Sequence, residues 1–233
     1  MTFRPLAAAL LVAAVSGFGR DKVAPAAPDP AARASAAEEA SPANLPRIGK
    51  WMIAPDDAPA HWLNEVYYGK KLREPINIIL VDRAAASAAE ATNRLLRALT
   101  AAGFPLRFGH SHGYSALLGG VKHAQLVSGK AAAFADHPFE LNNNHGRIFG
   151  PQVLAGAYLF TAAFSREKVE PLAKVKHEFA SFNQARDAFA ERMDRKTSFK
   201  RTAFIPLDNA LLNHPDLTTG DHDGIAVLLE ARD

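Results

Sequence analysis

The chain predicts a mixed domain, α/β or α+β, built on a single mixed sheet with at least two helices packed against it. Three observations carry that expectation. Ile76-Asn77-Ile78-Ile79-Leu80-Val81 is a short β-branched run bounded by Pro75 and Asp82. Two stretches, from Ser87 and from Ser181, combine helix-start chemistry with apolar residues at helical spacing. A series of further strand-like segments follows from His145 onward.

Taken in order, Arg4 leads into an apolar run from Pro5 to Val15. That run has the length of a secretory h-region and falls short of the ~20 residues needed to cross a bilayer. Residues 1–19 therefore read as a signal peptide, with small residues near Val15-Ser16-Gly17 or Ala24-Pro25-Ala26 as cleavage positions, and the expected address is the periplasm or the exterior. From 20 to 46 the composition is mainly Ala, Pro and Ser with a few charges, too little apolar surface to offset the ordering entropy, so a disordered linker is expected. The folded domain then spans 47–233.

Ile48 to Ile53 reads as a short strand. The 76–81 run, apolar throughout, reads as a strand covered on both faces. Ser87 and Glu90 form an S-x-x-E capping box, Ala91, Leu95, Leu99 and Ala102 supply the inward stripe, and Gly103 with Pro105 ends the helix. Phe104 to Phe108 is the return strand. Gly109 to Asn144 is Gly- and His-rich, with short strands near Ala116-Leu118 and Ala124-Val127. His145 to Phe149 and Val153 to Phe164 are strands joined through Gly150-Pro151-Gln152. A strand at Val175 to Phe179 precedes a second capping box, Ser181 to Gln184, and a helix to about Arg195. Ser198 to Ile205 and Ile225 to Glu230 complete the sheet.

Composition removes whole classes of function. There is no cysteine, which excludes disulfides, thiolate metal sites and a cysteine nucleophile. The net charge of +3 is spread over interleaved acids and bases, unlike the basic stripe of a nucleic-acid binder. G-x-G-x-x-G and Walker patterns are missing.

Nine histidines are the main chemical hint. In His145-Gly146-Arg147 the alternation of a strand sends the imidazole and the guanidinium to one face, with Gly146 allowing close approach. Arg186 sits on the apolar stripe of its helix with Phe182, Phe189 and Met193, so it needs a carboxylate, exposed carbonyls or a bound anion, with Glu167 and Glu178 as structural candidates. His177 lies just before that helix. Converging, His145, Arg147, His177 and Arg186 suit a phosphate-like anion; with Asp187 added, the same set suits a divalent metal. His110-Ser111-His112 is an H-x-H that offers two zinc-type ligands if extended. Gly220-Asp221-His222-Asp223-Gly224 offers ligand atoms too, but reads first as a turn into the last strand.

Pro75 to Val81, Ala101-Ala102-Gly103-Phe104, Asn144-His145-Gly146-Arg147-Ile148-Phe149, Ala162-Ala163-Phe164, and Lys176-His177 with Ala185-Arg186-Asp187 together resemble the LssY carboxy-terminal domain family over about 75–193. The family pattern has paired His where this chain has single His145 and His177, and an acid where Ala185 stands. The resemblance implies an envelope setting, sometimes linked to phosphatases or secretion, without an established activity. The expected function is an exported envelope protein that binds a small anionic, phosphate-bearing ligand or a lipid headgroup, with no integral membrane segment once the signal is cleaved. The alternatives are a metal-dependent or His-assisted phosphoester hydrolase, and a structural or protein-interaction module.

Overall fold

The computed structural model describes residues 38–108, 110–127, 132–170 and 176–232. The expected signal peptide and most of the expected linker lie outside the described residues. In chain order the elements are β1 (Glu39–Ala40), β2 (Ile48–Gly49), β3 (His61–Tyr67), β4 (Lys70–Arg73), β5 (Ile78–Asp82), α1 (Ala88–Ala102), β6 (Leu106–Arg107), β7 (Ser115–Leu118), β8 (Val121–Ala124) and β9 (Ala133–Ala135). There follow β10 (Asn143–Leu154), β11 (Ala157–Glu170), β12 (Lys176–Ser181), α2 (Asn183–Lys196), β13 (Phe199–Pro206), β14 (Leu217–Thr218) and β15 (Ile225–Ala231).

The protein is mostly strand, with two helices packed on a mixed sheet. Where one sheet is expected there are three. An eight-stranded sheet runs β13-β15-β5-β11-β10-β9-β6, with β12 also on β11; a four-stranded sheet runs β1-β2-β7-β8; a three-stranded sheet runs β14-β4-β3. The short strands before α1 and in the Gly-rich middle form the small sheets because the large one has its second face to cover. Glu39 and Ala40, within the expected linker, pair with Gly49 and Ile48.

β5 shows the layering most clearly, since all five of its residues are buried. Ile78 and Leu80 join a core with Leu95 and Leu99 of α1 and Phe189 and Met193 of α2. Ile79 and Val81 join a second core with Ile48, Ala116 and Leu118 of the four-stranded sheet. Burial on both faces is what the continuous β-branched run requires. β5 is parallel to β15 and antiparallel to β11.

Local chemistry sets the helix ends. Ser87 Oγ accepts from the Glu90 amide at 3.1 Å, and the Glu90 carboxylate reaches back to the Ala86 amide at 2.9 Å. Gly103, at φ 83°, takes the left-handed turn that ends α1. Ser181 Oγ accepts from the Gln184 amide at 2.8 Å at the start of α2.

The β10–β11 hairpin departs from expectation. The ladder continues past Gly150-Pro151-Gln152, which forms a register shift, and the turn is at Ala155-Gly156. The long β11 has a divided far edge: Tyr158 to Ala162 pair with β5, and Arg166 to Glu170 pair with β12. Phe164 falls between. The Asn77 side chain replaces the missing strand there, accepting from the Phe164 amide at 3.0 Å and donating to its carbonyl at 2.8 Å. Beyond this fork the sheet opens on the face away from the helices.

Candidate functional site

Strand alternation places Asn143, His145 and Arg147 on one face of β10, with Glu167, Ser165 and Ala163 as their register partners on β11. The intervening residues, with Ile148 and Phe164 among them, pack against α1 and α2. Gly146 belongs to that helix-side face. A Cβ there would meet the Ala163 carbonyl and the Phe164 ring at 2.5 Å, so this glycine serves close packing, not ligand approach.

The polar face lines a cavity of about 180 Å³. Trp62 and Leu63 of β3, Glu74 after β4, the 110–114 segment and Phe139 enclose it over β10, β11 and His177 of β12. The volume is below the roughly 300–1,000 Å³ of drug-sized sites and suits a compact ligand or head group.

His145 is held from both sides. Asn143 Nδ2 donates to the Leu141 carbonyl and to Glu167, which leaves its Oδ1 to accept, so His145 Nδ1 carries the proton across the 3.0 Å contact. Trp62 Nε1 donates to Ser165 Oγ at 3.1 Å, and Ser165 Oγ lies 3.5 Å from His145 Nε2 as its donor. Both ring nitrogens are used, and the imidazole is neutral. Burial first, then His110, Arg147 and His177, push its pKa well below the ordinary histidine value. Its expected role in touching a ligand becomes one of positioning: the ring stacks on His110, centroids 4.8 Å apart.

His110 has an open valence. Its Nε2 is buried and without a hydrogen-bond partner among the described residues. Burial, with Arg147 and His177 adding to it, takes its pKa down to about 4, so it stands neutral. His177 Nδ1 lies 3.1 Å from Glu167 Oε2, and its ring stacks on Phe139. Burial pushes the Glu167 carboxyl upward, against the hydrogen bond from Asn143 and the contact with His177.

Glu74 is 6% exposed, and its carboxyl has no hydrogen bond to the described residues. Burial raises its pKa to about 7, with Arg147 opposing.

Arg147 completes the set. It is 6% exposed, and among the described residues no carboxylate lies within salt-bridge distance. Nε and Nη2 donate to the Ser111 carbonyl at 3.3 and 3.0 Å, Nη2 also to Ser111 Oγ at 3.0 Å, and the guanidinium lies 4.4 Å from the Tyr114 ring centroid. Nη1 has no protein acceptor among the described residues. A buried cation with a free donor beside an unpartnered imidazole and a protonatable carboxyl has the chemistry to donate to an oxygen-rich anion.

Of the expected residues, His145, Arg147, His177 and His110 converge. Arg186 does not: Nε donates to Asp187 Oδ1 at 2.8 Å, and Nη1 to Asp223 Oδ1 at 2.6 Å and to the Ile225 carbonyl at 2.9 Å. Its need for partners is met by these groups, not by Glu167 or Glu178, and Asp187 serves Arg186 outside the cavity. His112 is exposed and separated from His110, because this segment is not a strand and H-x-H spacing then imposes no common face. Gly220 to Gly224 is a turn: Asp221 accepts from the Phe182 amide at 2.8 Å and from Ser181 Oγ. Among the described residues no three His, Asp or Glu side chains are placed to hold a metal ion.

Glu74 and Tyr114 went unread in the sequence, while Glu167 was read as a partner for Arg186 and Ser111 only as the middle of the H-x-H. Glu167 had a signal, since it lies two residues from Ser165 on a long strand and shares its face; Glu74 had none, because the three-stranded sheet brings it in. No family model matches the chain, and no curated protein and no solved structure matches it. No helix of the described residues is long and apolar enough to cross a membrane.

Proposed function

We propose that the protein binds a small phosphate-bearing anion in the cavity of Arg147, His110, His177 and Glu74. The observation that carries this reading is Arg147: a buried guanidinium, anchored by Ser111 and Tyr114, whose Nη1 has no acceptor and which has no carboxylate within salt-bridge distance among the described residues. Burying a charge without a counter-charge is costly, and a bound anion offsets that cost. His110 offers an uncommitted nitrogen, and protonated Glu74 a hydroxyl donor. The amino-terminal signal reading puts this binding in the cell envelope, and the resemblance to the LssY carboxy-terminal domain is compatible with it.

A thermal-shift titration tests the reading. Phosphate at a hundred times its dissociation constant stabilises the native state by about 2.7 kcal/mol, and the same addition stabilises Arg147→Ala by about 1 kcal/mol or less. Equal shifts in both proteins remove Arg147 from the site.

A second reading, phosphoester hydrolysis without a metal, is favoured by the 3.1 Å His177–Glu167 contact. Glu167 would orient His177 to take the proton of an attacking water, Arg147 would balance charge on the phosphoryl oxygens, and Glu74 would protonate the leaving oxygen. Turnover of p-nitrophenyl phosphate that is lost in both His177→Gln and Glu74→Gln supports it; no turnover leaves binding alone.

A further inference from the structure

The anion cavity opens onto a second, wider one. A groove of about 510 Å³ shares Leu63, Ser111 and Tyr114 with the inner cavity and continues between them and the 54–59 segment. The lining changes character along this path. Inside are Arg147, Glu74 and the histidines; outside, the small apolar Ala54, Pro55, Ala58 and Pro59 share the walls with Asp56 and His61.

Two features mark the junction as built for an occupant. Leu63, on the rim of both cavities, is 56% exposed and has φ 44°. A leucine in the left-handed region is strained, and the strain falls where the β3–β4 register breaks between His61 and Val66. Its apolar side chain is thereby presented at the mouth instead of in a core. The second feature is His61, whose Nδ1 is buried in the groove wall without a hydrogen-bond partner among the described residues.

We infer that the ligand is a soluble organic phosphomonoester, its phosphate at Arg147 and its partly apolar body along the groove past Leu63 toward Pro59, with His61 available to a polar group on that body. This rests on the anion-binding reading of the inner cavity. Free phosphate fills only the inner part, and the apolar groove then stays solvated at a cost that an organic body removes.

The test compares inorganic phosphate with phenyl phosphate by calorimetry at one pH and salt concentration. Phenyl phosphate is expected to bind about tenfold more tightly. Ala58→Gln, an exposed substitution that fills the groove but not the inner cavity, is expected to erase that advantage and leave inorganic phosphate unchanged. Equal affinity of the two ligands for the native protein overturns the inference while the anion site stands. An advantage that survives Ala58→Gln also overturns it, since the ring then lies elsewhere. Binding to phosphatidic acid vesicles without any gain for phenyl phosphate overturns it in favour of a lipid headgroup. No binding of either phosphate overturns the inner site as well.

Discussion

Glu74 and Arg147 line the same small cavity without forming a salt bridge. The acid is held protonated up to about pH 7 by burial, and the guanidinium is turned to Ser111 and Tyr114 instead. Cation and acid are therefore kept apart in one cavity, where an anion can use both.

On the proposed anion-binding reading, this arrangement makes the affinity depend on pH. Sulfate, doubly charged throughout, isolates the protein's own titration. Below about pH 7 Glu74 is neutral and donates; above it the carboxylate repels the ligand, while His110 stays neutral. Sulfate affinity is expected to fall as pH rises through 7, and Glu74→Gln to flatten the profile. A native profile that stays level between pH 6 and 8 contradicts this.

Stability has its own dependence on pH. Burial holds His110 and His222 at about 4 in the folded protein and His145 well below its ordinary value, against about 6.5 unfolded, so the native state binds fewer protons across 4–6.5 and stability rises with pH there. Glu74 has the opposite sign, binding its proton more tightly when folded and losing that contribution between about 4.5 and 7. Glu167, also raised by burial, shares that sign, and His61, lowered by burial, joins the imidazoles, so four imidazoles outweigh two carboxyls. The melting temperature should climb from pH 4.5 to 6.5, and more steeply in Glu74→Gln; a flat or falling curve in the native protein goes against the burial of these imidazoles.

Arg186→Ala separates structure from binding. Its partners Asp187 and Asp223 are partly exposed, which lowers the cost of stranding them below that of a fully buried pair. A loss of about 2 kcal/mol in urea unfolding is expected, with phosphate affinity within twofold of the native protein. A large drop in affinity would place Arg186 at the ligand.

Asn77→Ala should cost about 3 kcal/mol, because it strips partners from both backbone groups of Phe164 at the fork between β5 and β12. Chemical denaturation measures this directly, and a loss under 1 kcal/mol would mean that water replaces the amide.

Much of the frame was legible in the sequence because local rules decide it. The Ser87 cap, the Gly103 stop and the doubly buried Ile78–Asp82 strand each follow from a few adjacent residues. So did the pairing of His145 with Arg147 on one face, since alternation is a local property. What escaped notice is non-local. Arg186 sits on an apolar helix stripe whether a ligand or Asp223 meets it, and only the turn at 220–224 decides. Glu74 enters the cavity through pairing of short strands far apart in sequence, a relation with no periodicity to read. Gly146 looked like ligand clearance because its alternate face, under Phe164, was out of view.

The most direct measurement is calorimetric titration of phosphate into the native protein, Arg147→Ala and Arg147→Lys at pH 6.5. Losing hydrogen bonds from a charged donor costs about 2 kcal/mol, near thirtyfold in affinity, for Arg147→Ala; Arg147→Lys should recover part of it by keeping the charge without the fork. Native affinity in all three proteins, with the fold intact, would contradict the assignment of this cavity as an anion site.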